Sequence, residues 1–222
     1  MDLAAYLDHT NLKADARREI SSRLCEEAAR YKMAAVCILP SRVKQAAQLL
    51  AGSGVKVCTV AGFPLGAEES DTKLCTIERA LENGAAEVDM VINIGAVKDG
   101  DYQPVEREIR RAVALEKQTP FLLKVIVETA LLTGEELVAL TKLVARCGAD
   151  YIKTSTGFAA RGVSLQDISI ITAARPAGLR IKASGGIKDL DFALRLIEAG
   201  ADRIGSSSAA FLMEEYIKRG GR

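Results

Sequence analysis

Three stretches of the chain repeat one pattern: ALENGAAEVDMVIN, LVARCGADYIKTST and LIEAGADRIGSSS. Each carries an amphipathic helix into a glycine and enters a strand within a few residues. Glycine is the expected residue just past a helix C-terminus, because it takes the left-handed conformation without a steric cost. The repeated unit is therefore helix, glycine turn, strand. Further apolar, β-branched runs at 34–40, 55–62, 121–128 and 179–186 read as strands. Helical patterns fill the gaps between them. One opens with Thr133 and Glu136, a capping-box pair, and another with Ser164 and Asp167 at the same spacing. Strands alternating with helices predict a mostly parallel sheet.

Seven strands are clear, and YLDHT (6–10) supplies an eighth at the start. Eight such units in 222 residues predict an α/β fold, a (β/α)8 TIM barrel forming a single domain over 1–222. An open doubly wound sheet is the alternative. It would leave the inward polar residues below unexplained, and no GxGxxG follows the early strands.

Charge narrows the partners. There are 29 acidic against 30 basic residues, with no basic stripe and no acidic tail, so no nucleic-acid partner is expected. Cys25, Cys37, Cys58, Cys75 and Cys147 are odd in number and lack CxxC spacing, which predicts free thiols in a reducing compartment. One histidine among scattered cysteines predicts no metal site, and no cofactor is expected. The opening residues lack a basic-then-apolar leader, and no apolar run of about 18 residues occurs. A cytoplasmic protein with no membrane association is the expectation.

Strand residues alternate between faces. Val88, Met90 and Ile92 oppose Glu87, Asp89 and Val91; Leu123 and Val125 oppose Lys124; Ile152 opposes Lys153; Ile181 and Ala183 oppose Lys182 and Ser184. With the apolar face against the helices, Asp89, Lys124, Lys153 and Lys182 point into the barrel. The three lysines stand 29 positions apart, one β/α unit each, which predicts similar heights on three consecutive strands. A lone strand lysine usually snorkels to water or pairs with an acid. Burying charge is costly unless it is paired, so three lysines and an aspartate converging inward point to chemistry.

A lysine becomes a nucleophile when burial or a nearby cation favours its free amine. A second lysine supplies that cation, and a carboxylate can move protons as a carbinolamine forms and collapses. The set suits an imine-forming lyase. ASGGI (183–187) and GSSS (205–208) end the last two strands, where barrels often hold phosphate. Backbone N–H groups at Gly185 and Gly186, and donors at Ser207 and Ser208, suit an anion, with Gly157 contributing from STG.

LDHTNLK, DMVINIGA, LKVIVET, YIKTSTGF, IKASGGI and RIGSSS together resemble deoxyribose-phosphate aldolases, in order and over nearly the whole chain. The resemblance implies a class I aldolase that reversibly cleaves 2-deoxy-D-ribose 5-phosphate to acetaldehyde and D-glyceraldehyde 3-phosphate. It implies Lys153 as the Schiff-base lysine, Lys182 as the cation that tunes it, and Asp89 as its partner in proton transfer. Lys124 would be an electrostatic neighbour. Asp8, Thr10, Cys37 and Thr156 would line the sugar pocket, and Gly157, Gly185, Gly186, Ser207 and Ser208 would clamp the phosphate. A homodimer or tetramer is implied as well. The terminal YIKRGGR lacks the tyrosine that some members use for proton exchange, which leaves that step to Asp89, Lys182 and water. Ala159 stands where many relatives have glycine.

The alternatives are another Schiff-base phosphosugar lyase, a non-covalent phosphosugar isomerase, and a phosphosugar-binding barrel without turnover. His9 is expected to be structural, and Cys25, Cys58, Cys75 and Cys147 to be core thiols.

Overall fold

A computed structural model describes residues 1–221. Its eight strands are β1 (Leu7–Asn11), β2 (Ala35–Ile38), β3 (Lys56–Ala61), β4 (Glu87–Val91), β5 (Leu122–Ile126), β6 (Tyr151–Lys153), β7 (Arg180–Ser184) and β8 (Arg203–Ser206). All neighbouring pairs are parallel, and β8 pairs back to β1, so the sheet closes into a barrel in sequence order. The expected TIM barrel is the observed fold, and the strand expected at 6–10 forms one residue later, at Leu7–Asn11, with Tyr6 closing a short 3-10 turn.

The helices are α1 (Arg18–Tyr31), α2 (Val43–Leu49), α3 (Ser70–Glu82), α4 (Ile94–Lys98), α5 (Tyr102–Ala114), α6 (Gly134–Cys147), α7 (Leu165–Ala174), α8 (Leu190–Glu198) and α9 (Ala209–Lys218). Both capping boxes form, at Thr133–Glu136 on α6 and Ser164–Asp167 on α7. The repeated glycines do what the pattern required: Gly148 leaves α6 at φ 89°, and Gly84 and Gly200 also have positive φ. Each such turn reverses the chain directly into the next strand. None of the described helices is long and apolar enough to cross a membrane.

Two layers of packing follow from the alternation. Val88, Met90, Leu123, Val125, Ile152, Ile181 and Ala183 belong to the large core between sheet and helices. Inside the barrel, Leu12, Ala35, Cys37, Cys58 and Val60 form a smaller apolar patch on the β1–β3 side. The charged residues described below share the inward face with Val91, Ile126 and Tyr151, by the register of β4 to β6. Of the thiols expected in the core, Cys25 and Cys147 are buried as expected, whereas Cys75 is exposed on α3. All five are free.

Candidate active site

Asp89, on β4, is the hub of the interior and is fully buried. Its Oδ2 accepts from Lys153 Nζ at 2.8 Å and from Lys182 Nζ at 2.7 Å. Its Oδ1 accepts from Lys124 Nζ at 3.0 Å. The four inward residues read from the alternation therefore meet at one carboxylate.

Their heights correct one expectation. Lys153 and Lys182 are register partners, as the equal spacing predicts. Lys124 is level with Asp89 on one side and Tyr151 on the other, so it stands one interior layer below Lys153. Strands that close a barrel are staggered, so equal spacing along the chain need not give equal height.

The network extends to Asp8, expected in the sugar pocket, and to Glu87 and Arg203, which were not expected in the site. Lys182 pairs with Asp8 at 2.5 Å, and Lys124 with Glu87 at 2.6 Å. Arg203, on β8, reaches Asp8 at 2.7 Å and lies 3.5 Å from Glu87. Cys58 is no inert core thiol: its Sγ donates to Asp89 Oδ1 at 3.2 Å and accepts from Lys124 at 3.4 Å. Cys37 Sγ is 3.8 Å from Asp89 Oδ2. The alternation already puts Glu87 on the face of Asp89, and Arg203 could have been found by extending it to the first residue of β8. Cys58 has no such signal, because a cysteine suits either face.

The buried cluster thus holds four basic side chains, Lys124, Lys153, Lys182 and Arg203, against three carboxylates, Asp8, Glu87 and Asp89. Lys124, Lys182 and Arg203 each face two of these acids. Lys153 faces Asp89 alone. It is the cation whose charge the cluster can spare.

Electrostatics fix the remaining charges. Burial would push the Asp89 carboxyl up, but Lys124, Lys153 and Lys182 outweigh it and hold it well below the usual carboxylate range. Burial acts against Asp8 too, yet Lys182, Arg203 and Lys124 lower it to about 2. Desolvation opposes the Lys182 ammonium, while Asp8 and Asp89 raise its pKa above the ordinary lysine value. Burial opposes the Lys124 ammonium too, while the carboxylates of Asp89, Glu87 and Asp8 raise it above the ordinary lysine value. Burial pushes the Cys58 thiol well up, so it remains a donor.

Above the cluster lies a cavity of about 760 Å³ at the C-terminal ends of the strands. Lys153 lines it, together with Thr10, Thr156 and Ser184. Gly157, Gly185, Gly186 and Ser207 form another part of its wall. Asp8, Cys37, Asp89, Lys124 and Lys182 lie beneath the wall. Asp8, Cys37 and Lys124, expected beside the substrate, are therefore not among the lining residues. Ser208 is also outside the wall, and its N–H is taken by Ser206 Oγ at 2.9 Å. Lys13, Arg23 and Lys188, which the sequence did not single out, add positive charge around the opening.

The glycines matter by closeness. Gly185 has φ 86°, and a Cβ there would lie 2.9 Å from Gly162 Cα. The loops after β6 and β7 therefore touch backbone to backbone, which brings Gly157 and Gly185 to one side of the cavity. His9, level with Ser206 of β8, also lines the cavity, and its Nε2 is 2.7 Å from Glu27 on α1. That pairing is the structural role expected of it.

The model of the DeoC/LacD family aldolases matches residues 3–213. The chain belongs to the DeoC/LacD aldolase family. A deoxyribose-phosphate aldolase from Geobacillus sp. (strain WCH70) is 49% identical over 213 residues, covering 96% of this chain and 95% of that one. One from Streptococcus equi subsp. zooepidemicus is 45% identical over 221 residues and covers both chains in full. Among solved structures, a tetrameric deoxyribose phosphate aldolase from Aeropyrum pernix superposes with a TM-score of 0.91 at 34% identity, over 98% of this chain and 92% of that one. The family likeness thus spans every strand that contributes to the Asp89 cluster.

Proposed function

We propose that this protein reversibly cleaves 2-deoxy-D-ribose 5-phosphate to acetaldehyde and D-glyceraldehyde 3-phosphate through an imine on Lys153. One observation carries the reading: Lys153 is the sole basic group of the buried cluster that both lines the cavity and faces a single carboxylate. The relatives' shared activity supplies the substrate.

The chemistry follows from the positions. The Lys153 amine adds to the aldehyde carbon of the open-chain sugar and gives a carbinolamine. Loss of water gives a protonated imine. The C3 hydroxyl then gives up its proton, and the C2–C3 electrons move into the imine to form an enamine as glyceraldehyde 3-phosphate leaves. Protonation of the enamine carbon and addition of water release acetaldehyde and restore the amine. No electrons enter or leave overall.

Asp89 Oδ2 bridges the two lysine nitrogens, so one oxygen offers a path for protons between Lys153 and Lys182. The Lys153 ammonium is one of three cations that hold Asp89 low. When that nitrogen becomes a neutral carbinolamine, the restraint weakens and Asp89 becomes a better base at the step that needs one. Lys182 stays charged through Asp8 and stabilises negative charge beside the reacting carbon. Lys124, one layer down, holds Asp89 from its other oxygen. Thr10 and Thr156 border the sugar, while Gly157, Gly185, Gly186 and Ser207 receive the phosphate with Lys13 and Lys188 nearby. Ser208 holds the loop through Ser206 in this reading. The reading also takes the protein as a cytoplasmic homo-oligomer, on the model of the tetrameric Aeropyrum pernix relative.

The test is borohydride reduction in the presence of acetaldehyde, followed by peptide mass spectrometry. An N-ethyl group confined to Lys153 is the expected result. No adduct, or one spread over surface lysines, would turn the reading toward a non-covalent isomerase or binding barrel.

A further inference from the structure

Glu128 follows β5 with φ 55° and ψ 72°, in the left-handed region that non-glycine residues seldom occupy. It is also 2% exposed, so a carboxylate is both strained in its backbone and withdrawn from water. Glycine would relieve the strain at no steric cost. What the glutamate gains is a grip on the next loop. Its Oε2 accepts from the Thr156 backbone N–H at 3.0 Å and also from the Thr156 hydroxyl. The Thr156 oxygen in turn accepts from the Phe158 N–H at 3.1 Å.

Those bonds land three residues past Lys153. Thr156, Gly157 and Phe158 all line the cavity. The neighbouring backbone is tied as well, with Thr129 N–H donating to Thr154 at 2.8 Å and Val127 N–H to Lys153 at 3.0 Å. Arg161 closes the far side, donating to Thr129 O at 2.9 Å and to Asp167 at 2.6 Å. The loop after β6 is therefore held from β5, and Glu128 supplies the only side-chain bonds to Thr156 among the described residues besides its local one to Phe158.

We propose that Glu128 is a positioning residue: its carboxylate clamps Thr156 so that the loop after β6 presents Thr156 and Gly157 to the phosphosugar. This rests on the functional reading above. Glu128 touches neither Lys153 Nζ nor Asp89, so its removal should loosen substrate placement and leave imine chemistry in place. A second consequence follows from its other oxygen. Oε1 has no hydrogen-bond partner among the described residues, so glutamine can keep its carbonyl oxygen on Thr156 and put its amide nitrogen in the place of Oε1.

The experiment compares Glu128→Gly and Glu128→Gln in the full chain. For each, KM and kcat on 2-deoxyribose 5-phosphate are measured beside acetaldehyde trapping on Lys153 by borohydride. Glycine is expected to raise KM roughly tenfold or more, given how steeply rate depends on placement. It should leave the extent of acetaldehyde trapping at the parent level. Glutamine should return KM to within about threefold of the parent, since the clamp survives. Parent-like KM in the glycine variant, trapping lost in step with turnover, or a glutamine variant as impaired as glycine would each overturn the assignment. Failure of the functional reading shows itself separately, as no turnover and no Lys153 adduct in the unmodified protein, and it would take this assignment down with it.

Discussion

Two buried lysines in this molecule have opposite fates. Lys73, on α3, is fully buried outside the barrel. Its Nζ donates to Glu108 at 2.7 Å and to Val91 O at 2.9 Å, and the other Glu108 oxygen accepts from Asn93 N–H at 2.7 Å. One cation meets one acid, every near partner is satisfied, and the pair ties α3 and α5 to the end of β4. Lys153, 3% exposed, shares one Asp89 oxygen with a second lysine and borders a cavity. Burial alone therefore says little about chemistry. What separates the two is whether the charge is matched one to one and whether a ligand can reach it.

The same substitution at both positions should split them. Lys153→Met removes the nucleophile, and a loss of about 10³-fold or more in turnover is expected from steady-state assays. Its melting temperature should hold or rise, because three bases then face three acids. A melting temperature several degrees lower would mean that Lys153 is as structural as Lys73.

Lys73→Met should do the reverse. It leaves Glu108 as an unpaired buried acid, so denaturant unfolding should show a loss of about 3–5 kcal/mol. Turnover per folded molecule should stay near the parent value. A selective fall in kcat at full stability would show that the α3–β4 tie also sets Asp89.

The smallest effect concerns acid. Asp8 is lowered to about 2 from an ordinary 3.8 by Lys182, Arg203 and Lys124 against burial. A depressed carboxylate stabilises the fold above its unfolded value, and that contribution fades as pH falls from about 4 toward 2. In that window the unfolded chain binds more protons, so stability should rise with pH. Denaturant unfolding across it should show a gain of about 2 kcal/mol traceable to Asp8, reduced in Asp8→Asn. Glu108 should not contribute in this direction, since burial raises it despite Lys73 and Asn93. An unchanged slope in Asp8→Asn would put the acid sensitivity outside the cluster.

Much of the site was legible because strand alternation is local. Asp89, Lys153 and Lys182 could be placed on one face from their neighbours, and the pairing of Lys153 with Lys182 from their spacing. Thr10, Thr156 and the glycines lie where strands end, so they reach the cavity. Asp8 and Cys37 were placed in the pocket wall but lie beneath it. Depth along a strand depends on neighbouring strands, which a linear reading does not order. Cys75 was read as core, yet its position on α3 faces outward.

By itself the sequence determined the repeated unit, the parallel barrel and the inward direction of the charged residues. These depend on turn chemistry and on a two-residue period, both of which act within a few residues. Only the closed structure decided that Lys124 sits a layer below Lys153, that Arg203 joins from the last strand, and that Lys153 faces one acid while its neighbours face two. Closure staggers the strands and brings β8 beside β1, so those relations are set by the whole barrel at once.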